Sequence, residues 1–191
     1  MLPLVSASNK SRNPALKELK QKIRWYLATC DLWYHLLFLE EKKMVNFKEN
    51  EHLSILNHSC AHLLAQAVSH LYPEAKFWVG PVVEEGFYYD IDFSSPLLES
   101  DLPRIEKEMA KLAKDNKRFI RKEVSKEEAK EIFKDNPYKL ELIEGIEGVI
   151  SVYQQGDFID LCHGPHMPST GWLKHFKLTS VAGAYWRGNS K

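Results

Sequence analysis

The stretch EHLSILNHSCAHLLAQAVSHLYP, residues 51–73, predicts the central helix of the fold. Its apolar side chains recur at helical spacing, and Pro73 ends the pattern because proline does not continue a helix. The next segment, KFWVGPVVEEGFYYDIDF (76–93), is rich in aromatic and β-branched residues and carries Glu85-Gly86 near its middle. This composition predicts two strands joined by a turn.

The rest of the chain alternates between predicted helices and strands. A second helix is predicted to begin at Ser100-Asp101, and FIRKEV (119–124) is predicted to be a strand. A short helix then follows through Phe133, with a capping box at Ser125 and with Asn136-Pro137 as its stop signal. Residues 149–166 predict two more strands and a Gly-Pro loop. We therefore predict an α+β fold with a mostly antiparallel sheet packed with helices.

The composition is that of a soluble globular protein without a strongly charged surface. Of 191 residues, 26 are Lys or Arg and 26 are Asp or Glu, so any nucleic-acid contact must come from a local patch or pocket. Three cysteines give no disulfide framework, which favours a cytoplasmic location. The apolar run at 27–39 contains Asp31 and His35 and is too short to cross a bilayer, so no membrane partner is expected.

Residues 1–43 differ in pattern from the rest of the chain and are interpreted as an N-terminal extension. Their apolar residues recur at roughly helical spacing, which predicts an amphipathic helix. The alternative is that Met44 is the natural start and that the extension is spurious. The folded domain is assigned to residues 47–191. The spaced apolar residues are Leu16, Leu19, Ile23, Leu27, Cys30 and Leu37.

Two pentapeptides carry the chemistry of the chain, HSCAH (58–62) and CHGPH (162–166). His58 and His62 lie four residues apart and therefore project from one face of the predicted helix. Cys162 and His166 are expected to come from a loop, because Gly-Pro between them forces a turn.

Several interpretations of these pentapeptides remain open from the residues alone. Two histidines from a helix with a cysteine and a histidine from a loop are zinc-compatible ligands. The same groups could position a water molecule and move its proton without a metal. Cys162 beside histidine could also be a nucleophile, and His58 and His62 could be core histidines with satisfied hydrogen bonds. Asp160 precedes Cys162 by two residues and would share its side of a strand.

At this point the sequence resembles the editing domain of bacterial threonyl-tRNA synthetase over residues 47–191. The resemblance rests on HSCAHLLAQAV, GPVVEEGFYYDIDF, DLCHGPH and FKLTSVAGAYWRG, which occur in matching order and spacing. Alanyl-tRNA synthetase editing domains and free-standing alanyl-tRNA deacylases are related, but HFKLTSVAGAYWRGN favours the threonyl type.

The resemblance implies hydrolysis of serine wrongly esterified to tRNA(Thr). Serine lacks one methyl group of threonine, and a pocket that accepts the larger side chain rejects the smaller one only about 10–200-fold. A second, tighter hydrolytic site removes the error. By matching position, the residues implied for catalysis are His58, His62, Lys139, Cys162 and His166, and those implied for substrate binding are Tyr89 and Asp160.

The implied mechanism is attack of an ordered water on the ester carbonyl. His62 or His58 would orient or deprotonate the water, Lys139 would stabilise negative charge on the reacting oxygens, and Asp160 would bind the seryl amino group. Without the resemblance, Lys139 would be interpreted as a solvated surface lysine, Tyr89 as a core aromatic and Asp160 as a turn or cap residue.

The expected partners are the 3′ end of tRNA(Thr) carrying serine and the rest of a synthetase. No metal is expected to be required, although the related alanyl-type domains carry zinc on a quartet comparable to His58, His62, Cys162 and His166. His163 stands where family members often have arginine. The chain ends at Lys191, where family members continue into a class II aminoacylation domain, so we do not expect this chain alone to charge tRNA. The alternatives are a free-standing deacylase acting in trans, with or without zinc, and a non-catalytic synthetase remnant.

Overall fold

The computed structural model describes residues 20–26 and 46–184, with side chains described for 46–183. The α-helices in these residues are α1 (Glu51–Leu71), α2 (Leu102–Lys114), α3 (Lys126–Ile132) and α4 (Pro137–Glu144). The strands are β1 (Lys20–Tyr26), β2 (Lys76–Phe77), β3 (Val82–Val83), β4 (Gly86–Asp92), β5 (Phe119–Val124), β6 (Ile150–Gln155), β7 (Phe158–Leu161) and β8 (Lys177–Ala184). The predicted α+β class is confirmed.

The strands form two antiparallel sheets. The larger sheet has the order β2-β4-β1-β8, with β3 also paired to β4, and the smaller one has the order β5-β6-β7. In the smaller sheet Arg121 pairs with Tyr153, and Tyr153 pairs with Asp160. These three residues therefore lie in one cross-strand row and face the same side of the sheet.

Helix α1 lies at the centre of the domain. Its N-cap residue is Asn50, whose Oδ1 accepts a hydrogen bond from the backbone N–H of Leu53 at 3.1 Å. The helix contacts α2, β4 and β7, and its middle turns are buried on every face. The main hydrophobic core surrounds it, including Leu63, Leu64 and Phe87. Because α1 contacts β7, the helix meets the strand that leads into the CHGPH loop.

A second, smaller core lies under α3 and α4. Ala129, Phe133 and Ile143 from this region pack against Ile150 and Val152 of β6. The opposite face of the same strand carries Tyr153 in the row described above. The small sheet therefore has one face on this core and one face toward α1.

The helix predicted in the N-terminal extension is wrong over Lys20–Tyr26, which form β1; the remainder of that prediction lies outside the described residues. β1 lies between β4 and β8 and is antiparallel to both. Its sequence, KQKIRWY, alternates Ile23 and Trp25 with basic residues, as a strand does. Pairing with two strands that are distant in sequence overrides the weak helical spacing. The boundaries 1–43 and 47–191 stay predictions.

The assignment of Asn136-Pro137 as the end of a helix is also corrected. Helix α3 ends at Ile132, and Asn136 is instead the N-cap of α4, accepting from the backbone N–H groups of Tyr138 at 3.2 Å and Lys139 at 3.4 Å. Proline suits the first helical position because its missing N–H would be unpaired there in any case. This helix places Lys139.

Among the helices of residues 46–184, none combines the length and the apolar character needed to cross a bilayer.

Candidate functional site

The two pentapeptides meet in space. The Sγ atom of Cys162 lies 3.2 Å from Nε2 of His58 and 3.3 Å from Nε2 of His166. The ring of His62 is 5.3 Å from that of His58 and 4.1 Å from that of His166, measured between centroids. The structure therefore brings one helix and one loop together into a cluster of three imidazoles and a thiol.

The loop that carries Cys162 and His166 is held by its backbone. Ser151 Oγ donates to the carbonyl of Cys162 at 2.7 Å, and the N–H of Gly164 donates to Cys162 Sγ at 3.2 Å. Gly164 has φ +75° and is followed by a cis peptide bond to Pro165. A Cβ atom at Gly164 would collide with the hydroxyl of Tyr153, and the positive φ also disfavours other residues, so glycine is required there on two counts.

A buried ion pair lies beside the imidazole cluster. Lys139 Nζ is 2.5 Å from Oδ1 of Asp160, and these residues are 2% and 3% exposed. The hydroxyl of Tyr89 donates to Oδ2 of Asp160 at 2.5 Å and lies 3.4 Å from Lys139 Nζ. Lys139 is thus not a solvated surface residue, and the carboxylate of Asp160 is satisfied on both oxygens.

His62 connects the two halves of the site. Its Nε2 lies 3.7 Å from Oδ2 of Asp160, and its ring packs against that of His166. The residue is 3% exposed, and its Nδ1 has no hydrogen-bond partner. A buried polar atom without a partner is costly in a purely structural role, so His62 does not fit the description of a satisfied core histidine.

The three imidazoles are neutral at physiological pH. Burial lowers the pKa of His58 and of His166, and it lowers the pKa of His62 well below the ordinary value. Electrostatic interaction with His58 and with Lys139 further disfavours protonation of His62. Neutral imidazoles can accept a proton or ligate a metal, whereas imidazolium can do neither.

The thiol of Cys162 is disfavoured as a nucleophile. Burial raises its pKa to about 12, and the hydrogen bond from the N–H of Gly164 only partly offsets that effect. A thiolate, not a thiol, attacks carbonyl groups. Without a metal, the raised pKa of Cys162 therefore makes activation of water a better interpretation of this site than nucleophilic attack by the cysteine.

This protonation state can be tested by alkylation. Below the pKa the thiolate fraction rises about tenfold per pH unit, so alkylation of Cys162 in the chelator-treated chain is expected to accelerate without saturation between pH 7 and 10. The measurement is the iodoacetamide rate by peptide mass spectrometry, with a small free thiol as the control. A rate that levels off below pH 9 would contradict the raised pKa.

The quartet also fits a metal ion. The ligand atoms of His58, His62, Cys162 and His166 all lie within 4.8 Å of one another. Three imidazole nitrogens and one sulfur are typical zinc ligands, and the unpartnered Nδ1 of His62 is a buried group that lacks a protein partner. If zinc binds, these four residues would hold it, and the ion would supply a Lewis acid and lower the pKa of a bound water.

Three residues of the site were not identified from the sequence. Ser59 Oγ lies 3.2 Å from Nδ1 of His166, the ring of Phe119 stacks on His166 at 5.0 Å, and that of Tyr153 lies 4.5 Å from it. Ser59 lies inside HSCAH itself. Tyr153 could have been found from its strand register opposite Asp160. Stacking by Phe119 depends on how the two sheets pack and has no local signal.

His163 and the basic run KDNKRFIRK (114–122) lie at the edge of the site. His163 is exposed, between the two loop residues of the cluster. The run spans the end of α2 and the start of β5, where Phe119 contacts His166. The run therefore contacts the imidazole cluster through Phe119, and Lys117 and Arg118, which precede Phe119, are exposed.

Comparison with known proteins agrees with this architecture. Residues 150–191 match the family described as "Threonyl and Alanyl tRNA synthetase second additional domain". The chain is 56% identical over 153 residues to the threonine--tRNA ligase of Thermotoga neapolitana, a match that covers 78% of this chain and 24% of that protein. It is 57% identical over 146 residues to that of Acholeplasma laidlawii, covering 75% and 23%.

A third relative extends the comparison. The threonine--tRNA ligase of Anoxybacillus flavithermus is 59% identical over 145 residues, which cover 74% of this chain and 23% of that protein. The chain thus spans about a quarter of the length of the curated relatives it matches. The chain therefore carries a second additional domain of the threonyl-tRNA synthetase type.

Proposed function

We propose that this domain hydrolyses the aminoacyl ester of tRNA(Thr) that carries serine. The proposal rests on the contact between the imidazole cluster and the buried ion pair beside it. A neutral imidazole cluster lies against a Lys139–Asp160 ion pair through His62, whose Nε2 is 3.7 Å from Asp160. Ester hydrolysis needs a group that accepts a proton and a group that stabilises developing negative charge, and these halves offer one of each.

In the proposed reaction a water oxygen attacks the ester carbonyl carbon while His62 or His58 takes the water proton. The carbonyl oxygen becomes an oxyanion, which the ammonium of Lys139 stabilises. The bond from the carbonyl carbon to the ribose oxygen then breaks, and that oxygen receives the proton. The products are free serine and tRNA with its terminal hydroxyl restored.

Substrate binding requires Asp160 to exchange partners. Its Oδ1 accepts from Lys139 and from the N–H of Leu161, at 2.5 and 2.8 Å, and its Oδ2 accepts from Tyr89. The ammonium of a seryl group can bind this carboxylate by replacing that of Lys139. The exchange keeps the buried carboxylate paired and releases the Lys139 ammonium toward the reacting oxygens.

The proposed partner is the 3′ end of the tRNA. The support is the position of the basic run at 114–122, which enters the site through Phe119 and offers Lys117 and Arg118 to phosphates. In the relatives the matched segment belongs to a longer threonine--tRNA ligase. We therefore also propose the rest of a synthetase as a partner, and the cytoplasm as the location.

The test is hydrolysis of Ser-tRNA(Thr) by the purified chain, with Thr-tRNA(Thr) and Ala-tRNA(Ala) as matched substrates. Selective release of serine is the expected result, because a site that excludes one methyl group discriminates against threonine. Release of threonine at the same rate would contradict the substrate assignment. A folded chain that hydrolyses none of the three would favour the non-catalytic remnant.

A zinc-dependent deacylase acting in trans is the second candidate, and the observation that favours it is the His/Cys quartet within 4.8 Å. Chelation separates the two candidates. We expect the rate on Ser-tRNA(Thr) to be unchanged after chelation, since neutral imidazoles can accept the water proton without a metal. A loss that zinc restores would replace the first candidate with the second.

A further inference from the structure

Ser59 makes three polar contacts in the buried centre of the site. It lies on α1 between His58 and Cys60 and is fully buried. Its Oγ is 2.8 Å from the carbonyl oxygen of Ile55, 2.8 Å from the backbone nitrogen of Met167, and 3.2 Å from Nδ1 of His166. It therefore joins the helix to the loop that carries His166.

The single hydroxyl proton of Ser59 decides the direction of these contacts. A carbonyl oxygen has no proton, so two oxygens at 2.8 Å need the hydroxyl proton between them, and Ser59 donates to Ile55. This is the usual back-bond of a helical serine. The two lone pairs of Oγ then face two donors, the N–H of Met167 and Nδ1–H of His166.

We infer that Ser59 is a positioning residue that holds the proton of neutral His166 on Nδ1. The lone pair of Nε2 then points at the cluster, 3.3 Å from Cys162 Sγ. A neutral histidine carries one ring proton, and the partner of one nitrogen decides which nitrogen keeps it. Without that partner, free histidine favours the proton on Nε2, which would block this lone pair.

The position of this proton decides what Nε2 of His166 can bind. With Nε2 unprotonated, His166 can accept a hydrogen bond from the thiol of Cys162 or from a water molecule, or bind a metal ion. With Nε2 protonated it can do none of these. In the proposed hydrolysis, which this step of the inference presupposes, Ser59 acts only through His166 and does not touch the substrate.

Ser151 offers a matched control. It is also a buried serine that anchors the loop, since its Oγ donates to the carbonyl of Cys162 at 2.7 Å. Its hydrogen-bond acceptor is a backbone carbonyl and not an imidazole. Loss of the hydroxyl from Ser151 or from Ser59 removes one loop anchor, but only the latter removes the partner of His166 Nδ1.

The experiment reads the tautomer directly, by two-bond ¹H–¹⁵N correlation in the ¹⁵N-labelled full chain after chelation. Chelation is needed because a metal on Nε2 would impose the same tautomer. The signals of His166 are assigned by their loss in His166→Asn. We expect Nδ1–H in the unsubstituted chain and in Ser151→Ala, and Nε2–H or a mixture in Ser59→Ala. Nε2–H in the unsubstituted chain would overturn the inference, as would an unchanged tautomer in folded Ser59→Ala.

Deacylation supplies the second measurement. Loss of a residue that orients a functional histidine typically costs about 10–100-fold, so we expect that loss in kcat for Ser59→Ala with KM nearly unchanged. Ser151→Ala should lose much less. If the unsubstituted chain does not hydrolyse Ser-tRNA(Thr), the proposed function fails while the tautomer still decides this inference. Equal losses in the two serine variants would overturn the positioning role.

Discussion

Replacement of His62 by alanine is expected to lower the rate of Ser-tRNA(Thr) hydrolysis by roughly 10²–10⁴-fold, the usual contribution of a general acid–base residue. His62 joins the imidazole cluster to Asp160, and its unpartnered Nδ1 is available to a water or a ligand. Its pKa lies well below the ordinary value because of burial and of the nearby His58 and Lys139. The ring is therefore unprotonated throughout the neutral pH range.

The sign of the pH dependence follows from that shift. A histidine of ordinary pKa loses its function as a base when the pH falls through about 6.5. A lowered pKa keeps His62 neutral at and below that pH, so the rate should not fall between pH 7.5 and 6.5 on account of this group. A rate controlled by an acidic limb centred near pH 6.5 would contradict the assignment.

His52→Ala is the control for this variant. His52 lies in the first turn of the same helix and is exposed, so its loss should affect neither activity nor folding. Far-UV circular dichroism of both variants should match that of the unsubstituted chain, because each substitution leaves the apolar face of α1 in place. Retained activity in folded His62→Ala would remove His62 from the mechanism.

The sequence predicts the local elements of this fold because their signals are local. The capping box at Ser125 is present, with Ser125 Oγ accepting from the N–H of Glu128 at 3.1 Å and the Glu128 carboxylate accepting from the N–H of Ser125 at 2.8 Å. The turn predicted at Glu85-Gly86 likewise falls within one residue of the turn between β3 and β4, where Val83 pairs with Gly86. Such signals involve contacts within a few residues, which the order of residues determines directly.

The errors concern features that depend on distant partners. β1 is a strand because β4 and β8 flank it, and nothing inside KQKIRWY specifies those neighbours. Asn136-Pro137 fits both the end of one helix and the start of the next, and the packing of Ile143 against β6 selects the start. Tertiary contacts outweigh local preference in both places.

In the candidate site, too, local features can be predicted from the sequence and contacts between distant segments cannot. The i, i+4 relation of His58 and His62 can be derived from a helix alone. The approach of Cys162 and His166 needs α1 packed on β7, which no spacing rule provides. Burial of Lys139 depends on Asp160 from another element, so the resemblance to a known family was the only sequence-based reason to consider it. The roles of these residues remain proposals that the variants described here test.

The second large effect is expected for Lys139→Met. Removing one partner of a buried ion pair typically costs 3–5 kcal/mol, so we expect the free energy of unfolding to fall by about that amount at neutral pH. The cause is the carboxylate of Asp160, which is 3% exposed and would keep the hydrogen bonds from Tyr89 and from the N–H of Leu161 but no cation. Deacylation should be lost as well. Chemical denaturation and the Ser-tRNA(Thr) assay measure the two effects separately.

The double variant Lys139→Met/Asp160→Leu separates stability from catalysis. Replacement of a buried ion pair by apolar residues is often neutral or stabilising, so most of the lost free energy of unfolding should return. Activity should not return, because neither the ammonium nor the carboxylate is restored. Recovery of both properties would show that the pair is only structural.

Lys134→Met provides the surface control for the pair. Lys134 forms an ion pair with Glu131 at 2.8 Å, with side chains 62% and 74% exposed. Solvent screens such a pair, so its loss should change neither stability nor activity measurably. The contrast isolates burial as the cause: the two lysines form similar contacts, but only in the Lys139 pair does the remaining carboxylate stay out of water. A Lys139→Met variant as stable as Lys134→Met would mean that Asp160 becomes protonated or hydrated without cost. In that case the proposed exchange between Lys139 and the seryl ammonium would lose its physical basis, because an unpaired Asp160 would have no need of either cation.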